Sequence, residues 1–223
     1  MSTEQVAADF DEIARWADDG ASGADRYDAF LLSLIPNRAE RVVDVGCGLG
    51  RLTLGIATGG REVLGVDLSR AMIERARSSG HDERVSFVCG DFLDLNLDAH
   101  AFDCVVSAAA LHHMVADEAV PRMVRLLRPG GRLIIHDLRR TVSVADDVRA
   151  YFALVHTVIA RFVRTGRPLE PRRLRDAWMR HGARETYLSF EEAKRLAERL
   201  LPGATLLSHW MWRYTIVWDK QVS

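Results

Sequence analysis

The chain has 223 residues, of which 48% are hydrophobic, so it is long enough for one compact domain with a substantial core. Its 30 basic and 31 acidic residues nearly cancel, which excludes a uniformly basic nucleic-acid coat and an acidic tail protein. Cys47, Cys89 and Cys104 include no CxxC pair, so we expect neither a disulfide scaffold nor a metal site. Because no leader peptide and no long apolar run is visible, a cytoplasmic protein without membrane attachment is expected.

The first forty residues have the apolar spacing of helices. Val6, Phe10 and Ile13 recur at helical intervals, and Thr3 is the predicted N-cap. A loop is predicted over 18–23, followed by a second helix over about 24–34. Residues 1–40 are therefore expected to form N-terminal helices.

Five short apolar runs follow, and helical patterns lie between most of them. The runs cover 41–45, 62–67, 85–89, 102–107 and 131–136. The predicted helices cover 52–58, 71–78 and 118–127, the second capped by Ser69. This alternation predicts βαβ units and a buried parallel sheet with helices on both faces.

After Leu138 the alternation stops. Helices are predicted over 144–163, 172–180 and 190–200, and runs at 204–210 and 212–218 predict an antiparallel hairpin. Because no linker is visible, we expect one domain over 1–223. It would consist of N-terminal helices (1–40), a core (41–138), a helical insert (139–188) and a last helix with the hairpin (189–223).

The insert is rich in arginine. Residues 138–184 contain eleven arginines against four acidic residues. These arginines can bind an acidic acceptor, form ion pairs with the acidic cofactor half, or form a solvated helix face.

A glycine-rich loop joins the first predicted strand to the first crossover helix. It reads Gly46-Cys47-Gly48-Leu49-Gly50, and Asp44 precedes it. Ligands of open α/β sheets bind at this edge, beside the carboxyl ends of the strands. A dinucleotide fingerprint requires a glycine where Arg51 stands, and the Asp44 carboxylate suits a cationic group better than a pyrophosphate.

Two further acidic residues follow strands at the same edge. Asp67 ends the second strand and can accept hydrogen bonds from both hydroxyls of a ribose. Asp91 follows the third strand and can accept one from an adenine amine. Either residue alone is as well explained as a cap of a helix or turn. Together with Asp44, they predict a nucleoside-containing ligand with a cationic group.

Five stretches of this region resemble the class I S-adenosylmethionine-dependent methyltransferases of the broad small-molecule type. They are VVDVGCGLGRLTL (42–54), GVDLSRAMIERAR (65–77), VCGDFLDL (88–95), FDCVVSAAALHHM (102–114) and LLRPGGRLIIHDL (126–138). The resemblance implies a doubly wound, Rossmann-like α/β sheet of seven strands, five parallel strands plus the C-terminal hairpin, with N-terminal lid helices. It also implies S-adenosylmethionine as cofactor.

The resemblance implies roles for residues at the methionine and ribose ends of this cofactor. Asp44 would lie beside the amino group. Gly46 and Gly48, together with Gly50, would leave room for the amino-acid moiety. Asp67 would hold the ribose.

It also implies roles around the adenine ring and the sulfonium. Leu68 and Met72 would flank the adenine, although ordinary core packing explains both equally simply. Asp91 would meet the adenine amine and Phe92 the adenine ring. Ser107, at the end of the fourth strand, would lie near the sulfonium.

His112 and His113 are the candidate catalytic residues. They follow the fourth strand, where an acceptor must arrive, and a histidine suits removal of a proton near neutral pH. The alternative is that one ring only packs and bonds to backbone. For His136 and Asp137, at the end of the fifth strand, two interpretations are likewise open: a place in the acceptor site or a structural role.

The expected function is therefore S-adenosylmethionine-dependent methyl transfer to a small-molecule acceptor in specialised metabolism, with oxygen slightly favoured over nitrogen. The alternatives are a protein that binds the cofactor without methylating, as a regulator or partner subunit, and an NAD(P)-dependent oxidoreductase. Nucleic acid is a disfavoured acceptor, because residues 107–110 (Ser-Ala-Ala-Ala) stand where base-methylating enzymes carry an Asn-Pro-Pro-Tyr-like tetrad. A monomer or homodimer is expected.

Overall fold

A computed structural model describes residues 1–17, 27–80, 82–140, 158–159, 161–163, 166, 169–209 and 212–222. Seven strands form one sheet in the order β3-β2-β1-β4-β5-β7-β6. The strands are β1 (Arg41–Val45), β2 (Glu62–Asp67), β3 (Val85–Cys89), β4 (Phe102–Ala108), β5 (Leu127–Leu138), β6 (Thr205–His209) and β7 (Arg213–Asp219).

The described helices lie between and around these strands. They are α1 (Thr3–Trp16), α2 (Asp28–Leu34), α3 (Arg51–Ala57), α4 (Arg70–Ser78), α5 (Ala116–Leu126), α6 (Arg172–Gly182) and α7 (Phe190–Leu200), with a short 3₁₀ turn at Leu111–His113. None of them is both long enough and apolar enough to cross a membrane. Most of the predicted helix over 144–163 and all of the loop over 18–23 lie outside the described residues.

The strand order determines where a ligand can bind. β1 pairs in parallel with β2 on one side and with β4 on the other, so the winding of the chain reverses between them. In such sheets the crevice at the carboxyl ends of the two central strands receives the ligand. β7 is antiparallel to both β5 and β6, which confirms the predicted hairpin and the doubly wound, seven-stranded fold.

The two faces of the sheet are covered by different helices. On one face, Val42 and Ile134 pack in a buried cluster with Ile56 of α3. On the other face, Val43 and Leu133 pack in a second cluster with side chains of α5 and α7. Successive residues of a strand point to opposite faces, so near-continuous apolar runs are required here.

Helix caps and strand ends differ slightly from the predictions. The N-cap of α1 is Ser2, whose hydroxyl accepts the Gln5 N–H, and Thr3 is the first helical residue. Ser69 caps α4 as predicted. β5 starts before the predicted residue 131, because Leu127 already pairs with Phe102 ahead of an irregularity in the register.

Candidate active site

A cavity of about 890 Å³ lies where the central strands end, and α1 and α6 cover it. Its volume is typical of pockets that bind small molecules and cofactors. Eight of the ten predicted cofactor residues line it: Asp44, Gly46, Gly48, Asp67, Leu68, Met72, Asp91 and Phe92. Both predicted catalytic residues, His112 and His113, also line it.

Gly46 makes the tight turn after β1. The N–H groups of Gly46 and Cys47 donate to the Val66 carbonyl at 2.8 and 3.0 Å. The φ of Gly46 is +77°, and a Cβ built on it would lie 2.2 Å from the Cβ of Ala110. Glycine is therefore required here both by conformation and by space.

Asp67 ties the glycine loop to the start of α4. Its Oδ2 accepts the Gly48 N–H at 2.8 Å, and its Oδ1 accepts the Ser69 N–H at 2.9 Å. Burial raises the pKa of this carboxyl group against the opposing effect of these hydrogen bonds. A Cβ at Gly48 would meet no atom within 4 Å, so the backbone of the loop faces open space.

Asp44 is a buried carboxyl group with one hydrogen-bonding side chain beside it. It is 1% exposed, and its Oδ2 accepts the Thr53 hydroxyl at 2.7 Å. Burial, reinforced by the nearby charge of Asp67, raises the pKa of Asp44 to about 7. A cationic ligand group in the cavity would stabilise the ionised carboxylate, as the sequence pattern predicts.

Gly50 and Ser107 do not line the cavity, in contrast to the expectation for both. A Cβ at Gly50 would lie 2.7 Å from the Phe87 ring and 2.9 Å from Ala76, so this glycine allows α3, α4 and β3 to pack closely. Ser107 is fully buried within the central strand β4, and the cavity is lined by the three alanines that follow it.

The adenine end of the predicted site is partly core. Met72 is 5% exposed and packs with Ile13 of α1 and Leu174 of α6, while it also lines the cavity. Phe92 is 3% exposed and belongs to the main core cluster. Asp91 Oδ1 accepts the Leu93 N–H at 2.9 Å. Core packing and cavity lining are thus combined in Met72 and Phe92.

Asp11 joins the lid helix α1 to the cofactor half, a role that the sequence did not reveal. Its Oδ1 accepts the Ser69 hydroxyl at 2.5 Å and the Ala71 N–H at 3.0 Å, both at the start of α4. Phe10 and Ile13 of the same helix line the cavity. The position of the lid over the cavity is therefore tied to the strand end that carries Asp67.

His112 is held by Asp137 of β5. Asp137 Oδ2 accepts the His112 backbone N–H at 2.8 Å, and its Oδ1 lies 2.6 Å from the ring Nδ1. The two side chains are 6% and 1% exposed. The hydrogen bond orients the ring and favours a proton on Nδ1, which leaves the lone pair on Nε2.

His113 lies in a buried group with Glu185 and His181. Its Nδ1 is 3.3 Å from Glu185 Oε1, but the hydrogen-bond geometry is not met, and among the described residues neither atom has a hydrogen-bond partner. His181 Nε2 is 3.6 Å from the same oxygen, and its Nδ1 is 3.2 Å from Asp9 Oδ2. Burial, with His112 and His181 nearby, lowers the pKa of His113 to about 2, so its ring is uncharged.

Three arginines of the insert form ion pairs, and their partners lie in the lid helix α1 and in α7 rather than in the cofactor half. Arg180 pairs with Glu12 at 2.6 Å and Arg184 with Asp9 at 3.1 Å, which connects α6 and the residues just after it to the lid helix α1. Arg140 pairs with Glu192 at 2.8 Å. These three arginines therefore fix elements of the chain against one another.

Comparison with known proteins adds to this geometry. A profile of the methyltransferase domain family matches residues 43–135. The demethylmenaquinone methyltransferase of Clavibacter sepedonicus is 34% identical over 147 residues, which are 59% of this chain and 57% of that protein. The 27-O-demethylrifamycin SV methyltransferase of Amycolatopsis mediterranei is 35% identical over 140 residues, 58% of this chain and 52% of that protein. The chain thus spans about half the length of these two relatives.

Solved structures share the fold over nearly the whole chain. One chain of the complex between the Haloferax volcanii Trm112 methyltransferase activator and a methyltransferase is 18% identical, with a TM-score of 0.69 over 95% of this chain and 97% of that one. The S-adenosylmethionine-dependent methyltransferase from Mesorhizobium loti is 21% identical, with a TM-score of 0.59 over 90% and 100%. Residues 43–135 thus match the methyltransferase domain family, and the chain has the fold of the S-adenosylmethionine-dependent methyltransferases, whose cofactor is S-adenosylmethionine.

Proposed function

We propose that this chain transfers a methyl group from S-adenosylmethionine to an oxygen atom of a small-molecule acceptor. The observation that carries the proposal is that His112, oriented by Asp137, lines the same cavity as Asp44, Asp67 and Asp91. When bound, the cofactor supplies a methyl carbon activated by a positively charged sulfur. The residues of the chain then have to align the acceptor, exclude water and take charge off the attacking atom.

The methionine end of the cofactor would be held by Asp44 and the glycine loop. Asp44 is buried, and among the described residues Thr53 is its one hydrogen-bonding side chain, so a cationic amino group is its natural partner. The open space beside Gly48 leaves room for a ligand to approach the backbone. Asp67, which is already fixed by two backbone N–H groups, would accept hydrogen bonds from the ribose with its remaining lone pairs.

The adenine would lie between apolar side chains at the end of β2 and after β3. Leu68 and Met72 line one part of the cavity there, and Phe92 lines another. Among the described residues, only one oxygen of Asp91 accepts a hydrogen bond, which leaves the other for the adenine amine. These assignments give each cavity-lining cofactor residue a distinct partner on the ligand.

Oxygen is favoured as the accepting atom because His112 and His113 line the cavity. A hydroxyl oxygen becomes a strong nucleophile when its proton leaves, whereas a neutral amine already carries a free lone pair. In the transfer, the new oxygen–carbon bond forms as the carbon–sulfur bond breaks, and the electron pair of that bond remains on sulfur. The hydroxyl proton passes to Nε2 of His112, whose Nδ1 faces Asp137. The relative from Amycolatopsis mediterranei, which is named for an O-demethyl compound, is consistent with this choice.

Two measurements test the proposal. Titration calorimetry with S-adenosylhomocysteine and with NAD(P) identifies the cofactor. Transfer of a labelled methyl group to a panel of alcohols and phenols, each matched by the corresponding amine, identifies the accepting atom. We expect binding of S-adenosylhomocysteine and label in the hydroxylated members. Label in the amines alone would show that the accepting atom is nitrogen. Binding of S-adenosylhomocysteine without any methyl transfer would favour the regulatory alternative. Binding of NAD(P) alone would overturn the proposal.

A further inference from the structure

We infer that His112, His113 and Glu185 form a binding site for one divalent transition-metal ion, of the Zn²⁺ type, on the acceptor side of the cavity. Their ligand-capable atoms all lie within 4.8 Å of one another. This set was not expected from the sequence, because Glu185 is more than seventy residues from the two histidines. The binding of the ion is independent of the proposed function, but its role in methyl transfer rests on it.

The distances already suit a metal. Ligands bound to zinc at 2.0–2.1 Å in a tetrahedral arrangement are about 3.3–3.4 Å apart. His113 Nδ1 and Glu185 Oε1 are 3.3 Å apart, and His181 Nε2 lies 3.6 Å from the same oxygen. His113 Nδ1 and Glu185 Oε1, two of the proposed ligand atoms, therefore already lie at the spacing of neighbouring ligands in a coordination sphere.

Two of the proposed ligand atoms have no hydrogen-bond partner among the described residues. His113 Nδ1 and Glu185 Oε1 are buried and, within the described part of the chain, form no hydrogen bond, although their side chains are only 9% and 4% exposed. Buried polar atoms in folded proteins nearly always have a partner. A cation placed between them would satisfy both atoms at once.

The surroundings are those of a metal site. Histidines that bind a metal usually donate their other ring N–H to a carboxylate, which orients the ring. His112 has this arrangement with Asp137 at 2.6 Å, and His181 has it with Asp9 at 3.2 Å. Both rings are therefore held with the second nitrogen available on the side away from the carboxylate.

The site would leave one coordination position for the acceptor. Three protein ligands with an open position are typical of catalytic zinc, whereas structural zinc has four. Because His112 and His113 line the cavity, the open position would face it. With the ion bound, His112 would be a ligand and no longer the proton acceptor. An acceptor hydroxyl at the open position would instead have a lowered pKa and would lose its proton to water, so that the oxygen attacks the methyl carbon as an anion.

Metal titration of the full chain tests the inference. After dialysis against EDTA, Zn²⁺ affinity is measured by competition with a chromophoric chelator, and Co²⁺ is added as a spectroscopic probe. We expect one ion per chain and the visible absorption of tetrahedral or five-coordinate Co²⁺. Glu185→Gln should lose the site, and Asp137→Asn, which perturbs only an orienting residue, should weaken Zn²⁺ binding by about 10–100-fold.

A matched control is available at the opposite edge of the sheet. His100 lies just before β4 in a left-handed conformation that asparagine tolerates, so His100→Asn should bind Zn²⁺ as the wild type does. Circular dichroism and S-adenosylhomocysteine affinity show whether each variant is folded. Absence of stoichiometric Zn²⁺ binding, or equal affinity in Glu185→Gln, would overturn the inference.

The metal inference and the proposed function fail separately. Full methyl transfer by the EDTA-treated protein, without Zn²⁺ binding, would overturn the metal site and leave the oxygen acceptor in place. Stoichiometric Zn²⁺ binding that is lost in Glu185→Gln, in a protein without methyl transfer to any hydroxyl, would support the metal site and overturn the proposed function.

Discussion

Asp137 binds His112 twice, through the backbone and through the ring. Its Oδ2 accepts the backbone N–H at 2.8 Å, while Oδ1 lies 2.6 Å from the ring Nδ1 and also accepts the Leu138 N–H at 2.7 Å. Because a carboxylate oxygen can only accept a hydrogen bond, the ring Nδ1 facing it must be the donor. The pair therefore determines which nitrogen of His112 carries the lone pair in the cavity.

Replacing Asp137 by Asn should reduce methyl transfer much more than cofactor binding. The amide keeps the shape of the side chain, but its N–H₂ group can donate to Nδ1 and so favours the wrong tautomer of His112. We expect kcat to fall by about 10²–10⁴-fold, while the S-adenosylhomocysteine affinity stays within about twofold. Steady-state methylation and calorimetry measure the two effects. A kcat near that of the wild type would show that the orientation of His112 is irrelevant to the reaction.

Asp44 should reduce the stability of the cofactor-free protein at neutral and higher pH. Its pKa is about 7 in the folded chain and 3.8 ordinarily, so the folded state favours the protonated form. Below pH 4, Asp44 is protonated in both the folded and the unfolded chain and does not reduce stability. As the pH rises from about 4 to 7, the unfolded chain loses this proton more readily than the folded chain, so the free energy of unfolding falls. Asp44→Asn should then be more stable than the wild type at pH 8, on the order of a few kcal/mol, since one pKa unit corresponds to about 1.4 kcal/mol.

Urea unfolding of both proteins at several pH values measures this difference. The gain in stability should be smallest near pH 4, grow up to pH 7 and stay constant above it. The same variant should bind S-adenosylmethionine more weakly, because the amide cannot neutralise an ammonium group. A stability difference that does not change with pH would mean that Asp44 ionises as easily in the folded chain as in the unfolded one.

The sequence predicted the cofactor half better than the acceptor half, for a physical reason. The strands are short, β-branched runs between recognisable caps such as Ser69, and their order follows from connection rules. Asp44 near the end of β1, Asp67 at the end of β2 and Asp91 after β3 meet at one edge by topology alone. Local sequence thus places most of the predicted cofactor residues around one cavity, and Gly50 and Ser107 are the two predicted residues that do not line it.

The residues around His113 were missed because they meet only through tertiary packing. Asp9 comes from α1, His181 from α6, and Glu185 from the residues after α6, at separations of 68 residues or more from His113. None of them belongs to a spaced motif. The one signal available in the sequence is the pair His181 and Glu185, four residues apart at helical spacing.

Removing the Asp11 carboxylate should loosen the lid. Asp11→Asn retains one acceptor oxygen but loses the charge that attracts the Ser69 hydroxyl and the Ala71 N–H. Such charge-assisted hydrogen bonds contribute about 1.5–3 kcal/mol. We expect faster amide exchange over 3–16 and faster release of S-adenosylhomocysteine.

Glu4→Gln is a matched control for the lid variant, since Glu4 lies on the exposed first turn of the same helix. Its exchange and release rates should equal those of the wild type. If Asp11→Asn behaves like this control, α1 is held over the cavity by other contacts, such as its apolar packing on α4 and α6.

Gly46 and Ala110 compete for the same space, and exchanging their sizes tests the turn after β1. Gly46→Ala places a Cβ 2.2 Å from the Ala110 Cβ in a backbone with φ +77°. Both clash and left-handed strain should destabilise the chain, together by about 2–5 kcal/mol. Adding Ala110→Gly removes the clash but not the strain, so it should restore part of the stability measured by urea unfolding.

At Gly48 the φ is +53° and a Cβ would meet no described atom within 4 Å, so Gly48→Ala should be destabilised by the backbone strain alone, about 1–2 kcal/mol. Because the space beside Gly48 is where we place the cofactor, this third variant should nevertheless weaken S-adenosylhomocysteine binding, and unchanged affinity would move the amino-acid moiety away from the loop.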